Sequence, residues 1–539
     1  MNLINPGDLC STLVPRKYLG ILSLQREAHV PMLRLSLQPS YDFDVLVAGA
    51  GPAGASAAAH LARAGLNVAL VDQHTFPRDK VCGDFVGPVA LLELNKLGLS
   101  NIAAFRERNI IHRAAVHVDG KLVINSLMPE VPGLPTHGSV IPRQVLDNWI
   151  VQTAQSAGVH LIENCRIKGY SLEPRGVTVE AEQRGTHRSW HARLLIGADG
   201  SSSLISRIMH GKLGSPDNRI IAVRTYYEGV EGPADQCDLY FSSDSFPGYY
   251  WLFPTSANTA NVGLGMLVKT LPPQDEHLAT QLERMATQDP ALSQRLGRSK
   301  RIGKISGWPL TTYDPFRSIV ADRVMLVGDA AGLINPLNGE GIQYALLSGR
   351  WAAETALECA SQDNYSHAVL ESYTRRVEQE LRYDMALAAM IVQLIRNRSL
   401  NPFWLQALKI ITTRARVNSD YATITGGVLA GLVPASRVIS PDVILGTVQQ
   451  AAFSMVVGTV KEAIQGPRHI AELGLSAADF GLNVFSETTR QPREFLRWTG
   501  GVALNAVELA SQAAMHLMVK EKAVPKSAEP VPDLHLTVR

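Results

Sequence analysis

Gly49-Ala50-Gly51-Pro52-Ala53-Gly54 decides the reading of this chain because of what flanks it. The mostly apolar run Phe43 to Ala48 leads into it and predicts a buried strand. The helix-forming run Ala55 to Ala64 follows and is closed by Gly65, and a second strand pattern, Asn67 to Val71, ends in Asp72. Strand, glycine turn, helix, strand and acid in that order form a dinucleotide-binding fingerprint. Gly49 suits the tight turn, Gly51 allows backbone N–H groups to approach a pyrophosphate, and Gly54 allows close packing of helix on strand. Asp72 stands where a carboxylate meets ribose hydroxyls. The alternative is a bare βαβ unit with a glycine-rich turn.

The chain has 539 residues, which calls for two or three domains, and its 46% hydrophobic and 19% charged content marks it as globular. A formal net charge of +2 argues against a general nucleic-acid binder. The five cysteines, Cys10, Cys82, Cys165, Cys237 and Cys359, are scattered and never form a CxxC pair. That pattern fits a reducing, cytoplasmic compartment and offers no thiolate metal site. Residues 1–40 carry Arg16, Lys17, Arg26 and Arg34 without a continuous apolar stretch, so no secretory signal is evident. They read as a disordered leader, or as sequence ahead of a start at Met32.

The organisation read along the chain is α/β and interleaved. Residues 41–110, 141–218 and 311–372 read as three parts of one discontinuous, Rossmann-like nucleotide-binding domain. Residues 111–140 and 219–310 read as an inserted, β-rich substrate domain. Within it, period-two runs at Ile220–Tyr227, Asp238–Phe241, Tyr249–Phe253 and Ala260–Val268 predict an antiparallel sheet, with one helix near Glu276–Ala286. Residues 373–524 read as a C-terminal helical extension, and Pro525, Pro530 and Pro532 predict a disordered tail over 525–539.

Two further glycine–aspartate stretches follow apolar strand patterns. They are Gly197-Ala198-Asp199-Gly200-Ser201-Ser202-Ser203 and Gly328-Asp329-Ala330-Ala331-Gly332, the latter leading to Pro336-Leu337-Asn338-Gly339-Glu340-Gly341. Either alone could be an ordinary turn. Together with the fingerprint, the trio resembles the FAD-dependent oxidoreductases of the para-hydroxybenzoate hydroxylase fold. That resemblance implies FAD as cofactor. It places Asp199 and Gly200 near the pyrophosphate, Gly328 and Asp329 at the ribityl chain, and the backbone of Gly339, Gly341 and Ile342 against the flavin ring. It also matches Arg143 to an arginine that opens a helix near FAD, a residue that by itself reads equally as a solvated helix start.

Two segments are similar to the geranylgeranyl reductase branch, whose members saturate isoprenoid double bonds. They are Phe76-Pro77-Arg78-Asp79-Lys80-Val81-Cys82-Gly83-Asp84 and Phe246-Pro247-Gly248-Tyr249-Tyr250-Trp251-Leu252-Phe253-Pro254. The first departs from the branch pattern after Asp84, continuing Phe85-Val86-Gly87-Pro88. Under this resemblance Arg78, Cys82 and Gly83 lie by the flavin, and Cys82 supplies a proton or polarises an alkene. Otherwise Cys82 is a small buried hydrophobe. Tyr249, Trp251 and Phe253 alternate along one strand, so their rings share a face. That face is either sheet core or, as the branch implies, the wall of an apolar slot in which Tyr249 and Trp251 meet substrate.

The resulting expectation is an FAD-dependent reductase passing hydride from reduced flavin to a carbon–carbon double bond of a prenyl-lipid-like substrate. NAD(P)H or a small reduced carrier would supply electrons. Two other readings stand beside it: a flavin monooxygenase or halogenase of the same fold, and a non-catalytic prenyl-lipid carrier. The uncharged run Val443 to Val460 could pack on the catalytic domain, touch a membrane peripherally or cross it, with Ile391–Ile395 and Phe403-Trp404 as further interfacial candidates.

Overall fold

The computed structural model describes residues 40–211, 219–242, 246–268, 277–397, 401–429 and 492–523. The leader, the run Val443 to Val460, the side chain of Phe403 and the tail over 525–539 lie outside the described residues.

The fingerprint strand, Phe43–Ala48, sits in the middle of an eight-stranded sheet. Thr186–Gly197 pairs with it in parallel on one side and Val68–Val71 on the other. Val324–Leu326 joins Thr186–Gly197 in parallel, and His160–Ile162 joins Val68–Val71 in the same way. Cys165–Leu172 and Val177–Gln183 continue antiparallel from Thr186–Gly197 as further strands of the same sheet, while residues 45–48 and 194–197, with Val68–Val71 and Val324–Leu326, are buried along their paired length. The register brings their carboxyl ends level: Ala48 is opposite both Gly197 and Val71, and Gly197 is opposite Leu326. The loops that follow, beginning at Gly49, Ala198 and Val327, therefore leave the sheet at one edge, where open α/β sheets bind ligands.

The helices lock this edge in place. Pro52–Arg63 packs across Ile342–Gln362 at a glycine, where a Cβ on Gly349 would strike the carbonyl oxygen of Ala53. Gly328 N donates to Ser348 Oγ at 2.9 Å, which ties the third loop to the long helix. Beneath the sheet, the buried hydroxyl of Tyr373 donates to the Leu326 carbonyl at 2.9 Å.

A second sheet has seven strands, ordered Lys300–Thr311, Arg219–Glu228, Thr259–Leu267, Tyr249–Pro254, Gln236–Phe241, Arg113–Val118 and Lys121–Leu127. Only the pairing of Gln236–Phe241 with Arg113–Val118 is parallel. On one face Tyr250 and Leu252 are fully buried with Leu282, Met285, Leu292 and Leu296 from the helices Leu278–Gln288 and Pro290–Leu296. The opposite face carries Tyr249, Trp251 and Phe253 toward the first sheet. The alternation read from the sequence thus sorts one strand into a packed side and a cavity side.

The chain then returns to helices. Tyr383–Ile395 packs beside Pro492–Ala523, where Trp498 Nε1 donates to the Gln393 carbonyl at 2.8 Å and Arg382 Nε meets Glu508 at 2.8 Å. Asn401–Val417 lies on the second sheet through Leu405, which clusters with Val118 and Phe246. Ile391, Val392, Ile395 and Trp404 are all half-buried or buried in these contacts. Among the described residues, no helix is long and apolar enough to cross a membrane.

Candidate active site

The fingerprint loop shows why each glycine is there. Gly49 has φ +103°, and a Cβ on it would press into the Ala198 carbonyl. A Cβ on Gly54 would fall on the carbonyl oxygen of Gly49 and lie 2.9 Å from Ala198 Cβ. Gly51 caps the helix Pro52–Arg63, whose first turn holds no acidic residue. The unpaired N–H groups of that turn and the helix dipole leave it electropositive, as anion sites at helix starts are. Asp72 closes the far side, fixed by Ala50 N on Oδ2 at 2.8 Å and His74 N on Oδ1 at 2.8 Å.

Two arginines converge beside it. Arg143, the first residue of the helix Arg143–Ser156, grips Asp147 with Nε at 2.6 Å and Nη2 at 2.8 Å. Arg78 Nη1 approaches the same carboxylate at 3.2 Å, while its Nε is buried with no hydrogen-bond partner and lies 4.0 Å from Asp72. An orphaned guanidinium N–H next to a glycine-lined helix start is what a phosphate-bearing ligand would complete. Burial works against the charge of Arg143, but Asp147 outweighs it and raises the guanidinium pKa well above its ordinary value.

The middle loop is used differently. The Asp199 carboxylate accepts from Ser203 Oγ at 2.5 Å, Leu204 N at 2.7 Å and Ile205 N at 3.2 Å, so it caps the helix Leu204–His210. What Asp199 and Gly200 can offer a ligand is their backbone, with Gly200 at φ +79°. In the third loop, Asp329 Oδ2 meets Lys80 Nζ at 3.3 Å and Ser201 Oγ at 3.0 Å. Burial alone would raise this carboxyl, but Lys80 and the Ser201 hydroxyl hold it below the usual range.

The segment from Asn335 to Gly341 is a compact loop, closed by Asn335 N on the Glu340 carbonyl at 2.9 Å and Gly339 N on the Asn335 carbonyl at 3.0 Å. Gly341 caps the helix Ile342–Gln362. The Tyr249 hydroxyl donates to the Asn338 carbonyl at 2.6 Å, so the second sheet holds this loop directly. Burial pushes that phenol up to about 12, which keeps it a donor. Glu340 is the unexpected member: both carboxyl oxygens are buried without a hydrogen-bond partner, and burial pushes its pKa well above the carboxylate range.

Opposite lies the aromatic wall. Tyr249 and Trp251 rings are 6.1 Å apart, as are Trp251 and Phe253. Gly83 lies under them, since a Cβ there would be 3.2 Å from Phe253 and 3.5 Å from Trp251 Nε1. Trp251 Nε1 donates to Asn261 Oδ1 at 2.9 Å, and Asn261 Nδ2 donates both to the Cys82 carbonyl and to Asp84 Oδ2, each at 2.8 Å. The Cys82 sulfur accepts from Asp84 N at 3.4 Å, and the Arg143 guanidinium lies close enough to act on its charge. Burial pushes its thiol pKa up, Asp84 adds to the rise and Arg143 only partly opposes it, so Cys82 is a neutral thiol.

One cavity of about 1050 Å³ runs between these walls. Gly49, Gly51, Pro52, Ala53, Asp72, Arg78, Cys82, Gly83, Arg143, Asp199, Gly200, Asp329, Gly339, Gly341, Ile342, Tyr249 and Trp251 all line it. Gly54 and Gly328 do not; both lie behind the lining, where Gly328 approaches Ala53. The volume slightly exceeds the roughly 300–1,000 Å³ of ligand pockets, which leaves room for a cofactor and a second molecule. Sequence reading missed Lys80, Asp84, Asp147, Asn261 and Glu340. Asp147 had a usable cue, its i,i+4 spacing from Arg143 on a helix pattern. Lys80, Asp84 and Glu340 stood inside quoted motifs, while Asn261 is placed only by sheet register, opposite Phe253.

Comparison with known proteins agrees with this geometry. Residues 42–380 match the FAD binding domain family. The chain is 34% identical over 333 residues to the menaquinone reductase of Mycobacterium tuberculosis, an alignment covering 58% of this chain and 76% of that protein. It is 31% identical over 369 residues to digeranylgeranylglycerophospholipid reductase 2 of Methanopyrus kandleri, covering 67% and 89%. A geranylgeranyl bacteriochlorophyll reductase-like structure from Thermoplasma acidophilum shares the fold, with a TM-score of 0.58 at 23% identity over 75% of this chain and 95% of that one. The fingerprint, the three converging loops and these matches make the chain a member of the FAD binding domain family, an FAD-dependent oxidoreductase of the geranylgeranyl reductase group.

Proposed function

We propose that this enzyme reduces a carbon–carbon double bond of an isoprenoid or other apolar lipid. The observation that carries this reading is the continuity of one cavity from the glycine-rich helix start to the wall of Tyr249, Trp251 and Phe253. The residues present fit FAD. The first turn of Pro52–Arg63 and Arg78 would meet the pyrophosphate, Asp72 the ribose and Asp329 the ribityl chain. The backbone of Ala198–Gly200 would sit near the pyrophosphate, and that of Gly339–Ile342 would face the ring. FAD, when bound and reduced, supplies a hydride to an acceptor carbon.

The protein's own part is placement and protons. An unactivated alkene gives no stabilised carbanion, so the carbon not receiving hydride must take a proton from a nearby acid. Cys82 is a neutral thiol on the cavity wall and is assigned that role. Trp251 presents its ring to the substrate because its N–H is already engaged by Asn261. Tyr249 fixes the loop that faces the ring. Val392 and Ile395, from the helical extension, continue the apolar lining, as would suit a lipid chain drawn from a bilayer surface. We assign the chain to the cytoplasm with peripheral contact at the membrane, and its electrons to NAD(P)H or a small reduced carrier.

The test is an anaerobic single turnover. The FAD-loaded chain, reduced with dithionite and mixed with geranylgeraniol or a menaquinone, should reoxidise while the product gains two hydrogens by mass spectrometry. Reoxidation only on admission of air, with an oxygen atom in the product, would instead support a monooxygenase.

A further inference from the structure

We propose that Asp84 is a positioning residue for Cys82, its carboxylate latching the Cys82–Gly83–Asp84 turn onto the substrate sheet so that the thiol stays beside Trp251. This rests on the reading of Cys82 as proton donor.

The latch is drawn from two neighbouring strands of that sheet. Asp84 is fully buried, and its Oδ2 accepts from the Tyr226 hydroxyl at 2.6 Å and from Asn261 Nδ2 at 2.8 Å. The same Asn261 nitrogen holds the Cys82 carbonyl, and its oxygen holds Trp251. One carboxylate therefore organises the donor, the aromatic wall and the strand behind them. The turn has its own anchors: Asp84 N donates to the Cys82 sulfur, and Ile141 N donates to the Asp84 carbonyl at 2.9 Å. The first closes the turn on itself, and the second ties it to the segment that leads into the helix Arg143–Ser156. Removal of the carboxylate alone would then loosen its grip on the substrate side.

The charged and titratable groups facing Asp84 are Arg224 and Tyr226 from one strand, Arg143 from its helix, and Cys82 in the same turn. Burial pushes Asp84 up to about 6, and the hydrogen bonds from Tyr226 and Asn261 with the two arginines hold it from rising further. Above about pH 6 it is ionised. Its negative charge then stands beside the Cys82 sulfur and favours the protonated thiol.

Two substitutions separate geometry from charge. D84N keeps an acceptor for Tyr226 and Asn261 and places its new N–H₂ where Asp84 Oδ1 has no partner. D84G removes the latch while suiting the backbone, which is left-handed at φ 66°. The readout is alkylation of Cys82 by iodoacetamide in the FAD-loaded chain, followed as a function of pH by mass spectrometry of its peptide. D84N should move the alkylation midpoint to lower pH. D84G should raise the alkylation rate several-fold and lower turnover at least tenfold, with the flavin retained. If both variants fold, hold FAD and alkylate with the wild-type midpoint and rate, the assignment is overturned. Full turnover in D84G, where Cys82→Ala itself slows turnover, overturns it as well. Full turnover in Cys82→Ala would remove the proton-donor reading alone, and the alkylation comparison would still judge the latch.

Discussion

Gly54→Val is expected to yield a chain that no longer retains FAD. The cause is steric and local. A Cβ at this position would overlap the carbonyl oxygen of Gly49 and come within 2.9 Å of Ala198 Cβ and 3.1 Å of Val47 Cγ1. The overlap with the Gly49 carbonyl decides the outcome, because that oxygen is backbone of the turn that shapes the cavity and moves only if the turn moves. The helix must move away from the strand, and its first-turn N–H groups move with it. Overpacking of this kind commonly costs about 1–3 kcal/mol of stability. The expected loss of FAD affinity is at least roughly 100-fold, or about 2.8 kcal/mol. Absorbance near the flavin bands after gel filtration, with circular dichroism to confirm folding, measures it. A folded Gly54→Val chain with undiminished flavin content would contradict the assigned role of the loop.

Cys82→Ala should separate colour from turnover. The substitution removes one sulfur from the cavity wall and leaves the Cys82 carbonyl, which Asn261 grips, untouched. FAD content should match the wild type. Loss of a positioned proton donor typically costs about 10²- to 10⁴-fold in rate, and single-turnover reduction of the substrate should slow by an amount in that range. A lesser loss would show that another neutral acid serves, and Glu340, unpartnered on the facing loop, would then be the next residue to replace.

The cofactor side of the site was legible because its constraints are local in sequence. A strand, a glycine turn and a helix start occupy consecutive residues, and the requirement for glycine at 49 and 54 comes from contacts that any such unit must make. The face shared by Tyr249, Trp251 and Phe253 was legible for a similar reason, the period of two along a strand. Edge strands were harder to read. Lys300–Thr311 is interrupted by Gly303, Gly307 and Pro309, and among the described residues it pairs only with Arg219–Glu228. Such an edge tolerates proline and polar residues and so loses the alternating pattern. Cys165–Leu172, exposed or half-exposed at every residue after Cys165, was obscured in the same way.

The roles of particular carboxylates were the least legible. Asp199 and Asp329 follow strands in matching Gly-rich loops, yet one caps a helix while the other pairs with Lys80 at 3.3 Å. Only the arrival of residues distant in the chain tells them apart. Asn261 shows the same limit, since its two partners, Cys82 and Asp84, are brought to it by the packing of one sheet against the loop of another.

The central claim is that three loops at one sheet edge form a cradle for FAD beside an apolar slot. Its most direct test is titration of flavin-free chain with FAD, followed by fluorescence quenching and repeated with geranylgeraniol present. The account predicts saturation at one FAD per chain, and a further spectral change when the lipid enters alongside the bound flavin. A folded chain that takes up no FAD would contradict the account, and so would a lipid that displaces the flavin.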